Sequence, residues 1–365
     1  MSSQPLSTDG QPQHRAWVEV DFGALAENAR TIARVSGAPL IPVIKADAYG
    51  LGAVAAARAL EAVDPWGYAV ATVEEGAELR GGGVTRRVLV FAPAQASEFP
   101  DYERHRLTPV FDYLPALRAW RSRSAGAFHV EIDTGMSRTG VRPGDLGEWR
   151  EALDTPSFEG CFTQFHSAHR DLDATTAQWG RLTQAIRGLA RPPGLVHAAN
   201  SAAALRGSTF AGDAVRPGLF LYGGAPGSGL PEGKPVARVR ARVVSVRRVA
   251  AGDSVSYGAT WRAPRATTIA TLGIGYADGV RRALSASREA HVVLNGARRP
   301  YAGTVTMDLT MLDVGDAPVE RGEVATLLGG DGAEVITLGQ LAAWCGESQY
   351  VILTALGRRL ARVPV

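Results

Sequence analysis

The sequence predicts an α/β protein, a closed (β/α)8 TIM barrel followed by a mostly-β C-terminal domain. Three observations lead there. Between residues 39 and 223, short apolar, β-branched runs alternate with helical patterns, the order that builds a parallel sheet. Eight such runs can be placed, which suits a closed barrel better than an open doubly wound sheet. After Gly224 the linker-like GAPGSGLPEGKP leads into short alternating strands and turns.

In chain order, residues 1–14 form a polar tail expected to be disordered. The barrel domain is expected over 15–235. Its strand candidates are PLIPVIK (39–45), WGYAVAT (66–72), RVLVFAP (87–93), LTPVFD (107–112), AFHVEID (127–133), FEGCFTQF (158–165), GLVHAAN (194–200) and AVRPGLFLYG (214–223). Helical patterns between them include 51–63, 72–80 with acidic residues in its first turn, and 201–206 with Ser201 as a candidate N-cap. The β domain is expected over 236–365, where Asn295-Gly296 between apolar runs signals a hairpin.

Composition excludes several classes. Hydrophobic residues make up 45% and charged residues 21%, ordinary values for a soluble globular protein. The net charge is only +3 and the basic residues are scattered, so no nucleic-acid footprint is read. No apolar run reaches membrane-spanning length and no signal peptide is evident. Cys161 and Cys345 suggest neither a disulfide framework nor a metal site. A cytoplasmic location fits these features.

Lysine usage is the sharpest chemical signal. Lysine plus arginine total 39, yet only Lys45 and Lys234 are lysines. Arginine cannot be deprotonated in a protein, so it cannot act as an amine nucleophile. A desolvated lysine can, and Schiff-base formation is the main reaction that needs one. Lys45 ends the first apolar strand of the barrel, before the turn ADAYGLG, on the side where barrel active sites lie. Its ordinary reading, a structural cation with a buried stem, loses ground to the scarcity of other lysines. Lys234 lies in the Pro/Gly-rich linker and reads as a solvated residue.

Other strand ends add to the picture. Asp133 to Arg138 follows the fifth strand, Thr163 to His166 ends the sixth, Asn200 and Ser201 end the seventh, and Arg216, Gly218 and Leu219 belong to the eighth. Glycine amides and a serine hydroxyl suit a phosphate. An arginine among apolar strand residues needs an acceptor. Singly, each is equally well a turn glycine, a helix cap or an ion pair. Together, a Schiff-base lysine, phosphate donors and a buried arginine suit pyridoxal 5'-phosphate.

The segment VIKADAYGLG resembles the cofactor-lysine motif of bacterial alanine racemases, barrel-type pyridoxal-phosphate enzymes. The resemblance continues through RAWVEVDFGALAENAR, ATVEEGAELR, EIDTGMSRTGV, HAANSAA, DAVRPGLFLYG, SYGATW, IGYADGVRR and TVTMDLTMLDVG, in family order along almost the whole chain. It implies that Lys45 binds the cofactor and is the base on one face of the substrate, with Tyr276 the base on the other. It further implies a phosphate cradle of Tyr49, Ser201 (beside Asn200), Gly218, Leu219 and Tyr350. Arg216 would face the pyridine nitrogen. Arg138 and the Met307 amide would hold the substrate carboxylate, with Asp308 beside them. The implied assembly is a homodimer with the active site shared between subunits, no metal, and a small amino acid as substrate.

Racemisation requires a proton to leave one face of Cα and another to arrive on the opposite face. One base moving back and forth would mostly restore the starting enantiomer, so two are needed. Lysine and tyrosine both have ordinary pKa values of about 10, so each needs help to act near neutrality. Three departures from the family pattern stand near this machinery. Glu131 takes the place of a carbamylated lysine, Gln164 that of a histidine between the catalytic tyrosine and the pyridine arginine, and Gly303-Thr304 that of Gly-Arg. His166 lies two residues beyond Gln164 and would share its strand face if the strand were regular. The supporting roles of Glu131, Gln164 and His166 are left open by the sequence. Three functions therefore compete: an alanine racemase supplying D-alanine for peptidoglycan, a racemase of another small amino acid in a specialised pathway, and a low-turnover cofactor-binding homologue. Single-domain barrels of the last kind lack the β domain and its GYADG tyrosine, and both are present here.

Overall fold

The computed structural model describes residues 13–365; most of the expected tail, residues 1–12, lies outside the described residues. The chain forms two compact units, one of Gly23–Lys234 and one combining the described residues up to Phe22 with Pro235–Val365.

The second unit is built on the long strand Ala237–Val249. Its sequence alternates, with Ala237, Val239, Ala241 and Val243 buried and the half-buried Arg238, Arg240 and Arg242 between them on the opposite face. Period-two alternation of this kind gives a sheet one apolar face. Ala16–Val20 pairs antiparallel with this strand and parallel with Ala361–Pro364. The expected boundary of the barrel domain at residue 15 is therefore corrected, because residues 16–20 belong by hydrogen bonding to the β unit. A short strand with Trp17, Val18 and Val20 buried completes whichever sheet offers it an edge, and sequence pattern does not say which. The hairpin at Asn295–Gly296 forms as expected, with Leu294 opposite Ala297 and both turn residues at positive φ (55° and 68°).

The first unit carries a six-stranded parallel sheet of Gly67–Val70, Arg87–Pro93, Thr108–Phe111, Phe128–Glu131, Phe158–Phe162 and Leu195–His197, each beside the next. Helices Val73–Gly81, Phe99–His105, Leu114–Arg123, Leu146–Leu153 and Leu172–Arg187 lie between them in sequence. The two remaining expected strands are not regular strands. Residues 40–44 and 214–217 attach by isolated parallel bridges, Leu40 to Val215, Val43 to Ala69 and His197 to Ala214. Backbone bonds support them, from Ile41 N to Val215 O (2.8 Å), Val43 N to Pro217 O (2.9 Å) and Ile44 N to Ala69 O (2.9 Å). Pro42 and Pro217 supply no N–H, so a continuous ladder cannot form there. The expected strand over 214–223 also ends early, in the turn Leu219–Tyr222.

Behind Lys45 the backbone does what no sequence signal announced. Ala46, Asp47, Ala48 and Tyr49 all have φ between 52° and 58°, one turn of left-handed helix built from L-residues. Such a turn costs about 1–2 kcal/mol per residue. Its neighbours over-determine it. The Glu75 carboxylate accepts from Ala46 N (2.7 Å) and from Ala71 N (2.6 Å), tying the turn to the end of strand Gly67–Val70. Asp47 accepts from Ala53 N through its side chain (2.7 Å) and from Gly52 N through its carbonyl (2.9 Å). Glu75→Ala removes the acceptor of two amides at once. Urea unfolding is expected to show a loss of about 2 kcal/mol, and a loss near zero would mean the turn holds itself.

Candidate active site

Lys45 is half-buried where the extended segment 40–44 meets the left-handed turn. Burial lowers its pKa, the nearby Arg138 charge lowers it further, and Glu75 opposes both. The neutral amine is thus better populated than on a solvated lysine. Lys234, by contrast, is an exposed residue in an ion pair with Glu27.

A polar cradle lies at the ends of strand Leu195–His197 and of the bridged segment 214–217. Asn200, not Ser201, caps the helix Ser201–Ala204, accepting from Ala203 N at 3.1 Å. This corrects the expected cap by one residue and frees Ser201 for another task. Its Oγ accepts from Gly218 N (2.9 Å) and Phe220 N (3.4 Å). A hydroxyl that accepts twice keeps one proton to donate, which suits an anionic oxygen. Gly218 is required here, since a Cβ on it would fall 2.3 Å from Tyr49 Oη. Tyr49 stacks on Tyr222 at 4.4 Å, and Tyr222 Oη donates to Val43 O at 2.9 Å. Leu219 follows Gly218 into the same turn.

Arg216 is buried, and both of its terminal nitrogens are engaged. One terminal nitrogen donates to His197 Nδ1 (2.8 Å) and His197 O (2.5 Å). The other donates to Thr163 O (2.8 Å), Gln164 Oε1 (3.0 Å) and Ala198 O (3.3 Å). The guanidinium lies 4.9 Å from the Phe162 ring centre. Burial pushes its pKa down to about 10, against the raising effect of Glu131, so it stays charged at neutral pH. Gln164 therefore does meet the arginine. His166 does not. It is exposed, and its Nδ1 is paired with Ser167 Oγ at 2.7 Å. Strand Phe158–Phe162 ends before it, so the alternation that would have placed it beside Gln164 has lapsed. The buried Gln178 fixes this segment, accepting from His166 N (3.0 Å) and donating to Gln164 O (3.0 Å).

Glu131 is buried and accepts from Thr139 Oγ1 at 2.7 Å. Burial raises its pKa, while the Thr139 bond and the charges of Arg138 and Arg216 act in the opposite sense. Arg138 is exposed at the end of a loop wound around Asp133, whose Oδ1 accepts from Gly135, Met136 and Ser137 amides at 2.8–3.0 Å. Sequence reasoning passed over His129 and His197. The latter opens the very motif HAANSAA at the end of an apolar run, which was the available signal.

In the β unit, Tyr276, Met307 and Asp308 form one piece. Tyr276 N and Ala277 N donate to Thr306 O (2.9 Å) and Met307 O (3.0 Å). Gly275 permits this approach, for a Cβ there would lie 2.4 Å from both carbonyls. Buried Asp278 accepts from Gly275 N (3.0 Å) and Arg359 Nε (2.9 Å), and Arg359 also donates to Asp308 Oδ1 (2.8 Å). Tyr276 is 45% exposed, Met307 53% and Tyr350 47%, on this unit's surface. Tyr276 borders a cleft of about 680 Å³ shared with Tyr257, Arg281, Thr304 and Glu347, so the unusual Thr304 is a wall residue there. Among the described residues no helix is long and apolar enough to cross a membrane.

Comparison with known proteins gives the context for this geometry. The family described as alanine racemase, N-terminal domain, matches residues 20–226, and alanine racemase, C-terminal domain, matches residues 236–364. The alanine racemase of Sorangium cellulosum is 37% identical over 94% of this chain and 97% of its own length. The crystal structure of alanine racemase from E. faecalis superposes with a TM-score of 0.90 at 30% identity, covering 96% of this chain and 98% of that one. That of Bartonella henselae, which holds covalently bound pyridoxal phosphate, superposes with a TM-score of 0.87 at 26% identity, covering 96% and 100%.

The buried histidines carry a pH signature. Burial lowers the pKa of His129 and, more strongly, of His197 from the ordinary 6.5, and the Arg216 charge lowers both further. Below 6.5 the unfolded chain takes up protons that the folded chain refuses. The stability is therefore complete above that value and lost as pH falls toward the depressed folded values, at up to about 1.4 kcal/mol per pH unit for each ring. Urea unfolding at about pH 7.5 and about pH 5.5 should show a larger loss for the native protein than for the double variant His129→Gln, His197→Gln. Equal losses would mean that the rings protonate freely in the fold.

Proposed function

The chain belongs to the alanine racemase family, and from that premise we propose that it interconverts L- and D-alanine with pyridoxal 5'-phosphate, supplying D-alanine to peptidoglycan from the cytoplasm. The observation that carries the reading is a lysine of lowered basicity beside a cradle that only a glycine at 218 leaves open, with a buried arginine, held by both terminal nitrogens, at its edge. We read the six-stranded sheet and the two bridged segments as one (β/α)8 barrel whose strand carboxyl ends bear these residues.

The donor set fits the cofactor. Lys45 Nζ would hold it covalently. Tyr49, Ser201, Gly218, Leu219 and Tyr350 would hold its phosphate, with Asn200 fixing the position of Ser201. Arg216 would address its ring nitrogen. When bound, the cofactor supplies an electron sink that makes the substrate Cα–H acidic. Lys45 takes or returns the proton at Cα on one face, a task its neutral form can do. Tyr276 Oη does the same on the other face. Arg138 and the Met307 amide orient the substrate carboxylate, with Asp308 alongside. Glu131 would supply a carboxyl group within the field of Arg138 with no modified lysine. Gln164 accepts a hydrogen bond from Arg216 through its Oε1 but cannot hold a charge, so it passes on polarity and not a proton.

Tyr276, Met307, Leu309 and Tyr350 are all more than a third exposed on their unit. We read that face as covered by a second copy, with Tyr276 acting on the partner's cofactor in a homodimer. A second reading is favoured by Gln164 and Thr304, which stand where the family usually has histidine and arginine: the same chemistry on another small amino acid.

Proton NMR with L-alanine in deuterated water, joined to chiral analysis, tests the first reading. Loss of the α-proton signal with D-alanine formation supports it. An intact α-proton in protein that carries the visible absorbance of lysine-bound cofactor would turn the search to a panel of other amino acids. Tyr276→Phe should reduce racemisation at least about 100-fold while that absorbance persists. Native turnover in this variant would refute the two-base assignment.

A further inference from the structure

We propose that Glu159, His129 and His197 form a one-way hydrogen-bond chain that orients Arg216, with both imidazoles locked as neutral Nε2–H tautomers, so that His197 is a positioning residue for the arginine. The inference rests on the reading that Arg216 addresses the cofactor ring.

The polarity follows from donor and acceptor logic. A guanidinium offers only donors. Arg216 reaches His197 Nδ1 at 2.8 Å, so that nitrogen must be bare. A neutral His197 then carries its proton on Nε2. That nitrogen lies 2.8 Å from His129 Nδ1, which must accept and is bare in turn. His129 therefore carries its proton on Nε2, which faces Glu159 Oε2 at 3.3 Å. A carboxylate closes the chain as acceptor. Each alternative fails at one link. A proton on His197 Nδ1 would confront the Arg216 N–H. An imidazolium at His129 would set two N–H groups against each other across 2.8 Å.

The surroundings are shaped around these rings. Neither is exposed to solvent. Phe162 stacks on His197, with ring centres 5.0 Å apart and planes inclined by 18°. Gly160, opposite His129 in the sheet, has no room for a side chain, since a Cβ would fall 2.7 Å from His129 Cε1. A glycine in a strand interior weakens the strand, and here it is the space the imidazole occupies. Glu159 is partly exposed and also receives Arg87 Nε at 3.1 Å. The chain thus links a surface carboxylate to a buried guanidinium that makes no direct carboxylate hydrogen bond among those found. Successive hydrogen bonds of one sense polarise one another, which adds to the field of Glu131 at Arg216.

Long-range ¹H–¹⁵N correlation NMR of the holoenzyme labelled with ¹⁵N-histidine reads each tautomer directly. His129→Gln and His197→Gln assign the two signals among the seven histidines. Two neutral rings, each protonated on Nε2, are expected. An imidazolium at either position, or a proton on His197 Nδ1, would overturn the chain. For the positioning role, His197→Leu should lower kcat about tenfold with little change in KM, and shift the visible absorbance of bound cofactor. His197→Gln, which can accept from Arg216 and donate to His129, should restore most of kcat. Equal kcat for the Leu and Gln variants would overturn that role. If His197→Leu does not fold, Glu159→Leu removes the terminal acceptor at a partly exposed site; it should lower kcat severalfold where Glu159→Gln does not, and identical kinetics of the two would likewise refute it. A holoenzyme without visible absorbance would refute the cofactor reading instead, while the tautomers would still decide the chain.

Discussion

Removing a guanidinium from water is the constraint around which the carboxyl ends of the parallel strands are arranged. An unpaired buried charge is among the most costly features a fold can carry. Arg216 is accommodated because Thr163 O, Ala198 O, His197 and Gln164 converge on it from the ends of two neighbouring strands. Those carbonyls point inward only because the strands stop there. The termination of Phe158–Phe162 and Leu195–His197 is thus part of the site, and Gln178 holds the loop that follows the first of them.

A second demand is met at Lys45. Four left-handed residues behind it turn the chain sharply, carrying Tyr49 back over Gly218. The local conformation is unfavourable and survives on contacts made elsewhere, above all by Glu75. Strain held in this way is common where function dictates geometry. Glu75 lies on the next β-α unit, so the lysine's placement depends on the sheet having formed.

Much of this was legible in the sequence, and the reasons differ residue by residue. Lys45 stood out because arginine had replaced lysine almost everywhere else. Gly218 and Ser201 were visible as small residues at strand ends, and the Asn295–Gly296 hairpin announced itself by turn chemistry. The left-handed turn was hidden because Ala46 and Ala48 are good right-handed helix formers, and only a distant carboxylate overrides them. Ser201 looked like a cap because serine caps well; Asn200 caps equally well and stood one residue earlier. His166 shared a strand face with Gln164 only as long as the strand lasted. Ala16–Val20 was not placed among the strands, since its partners are some 220 residues and more away in sequence, beyond the reach of local pattern. The histidine pair needed two strands in register, since neither ring has meaning without the other.

The scarcity of lysine has a practical corollary. Lys234 is engaged with Glu27 at the surface, and Lys45 is shielded beside its turn. Carbonyl and acyl reagents that favour uncharged amines therefore meet a single distinctive side-chain target. Arg34 and Arg58 bracket it, so digestion by an arginine-cleaving protease confines any adduct on Lys45 to residues 35–58. The same economy that isolates the reactive amine makes the protein a natural substrate for mass-tagging, in which one peptide reports whether the amine is open, capped or engaged.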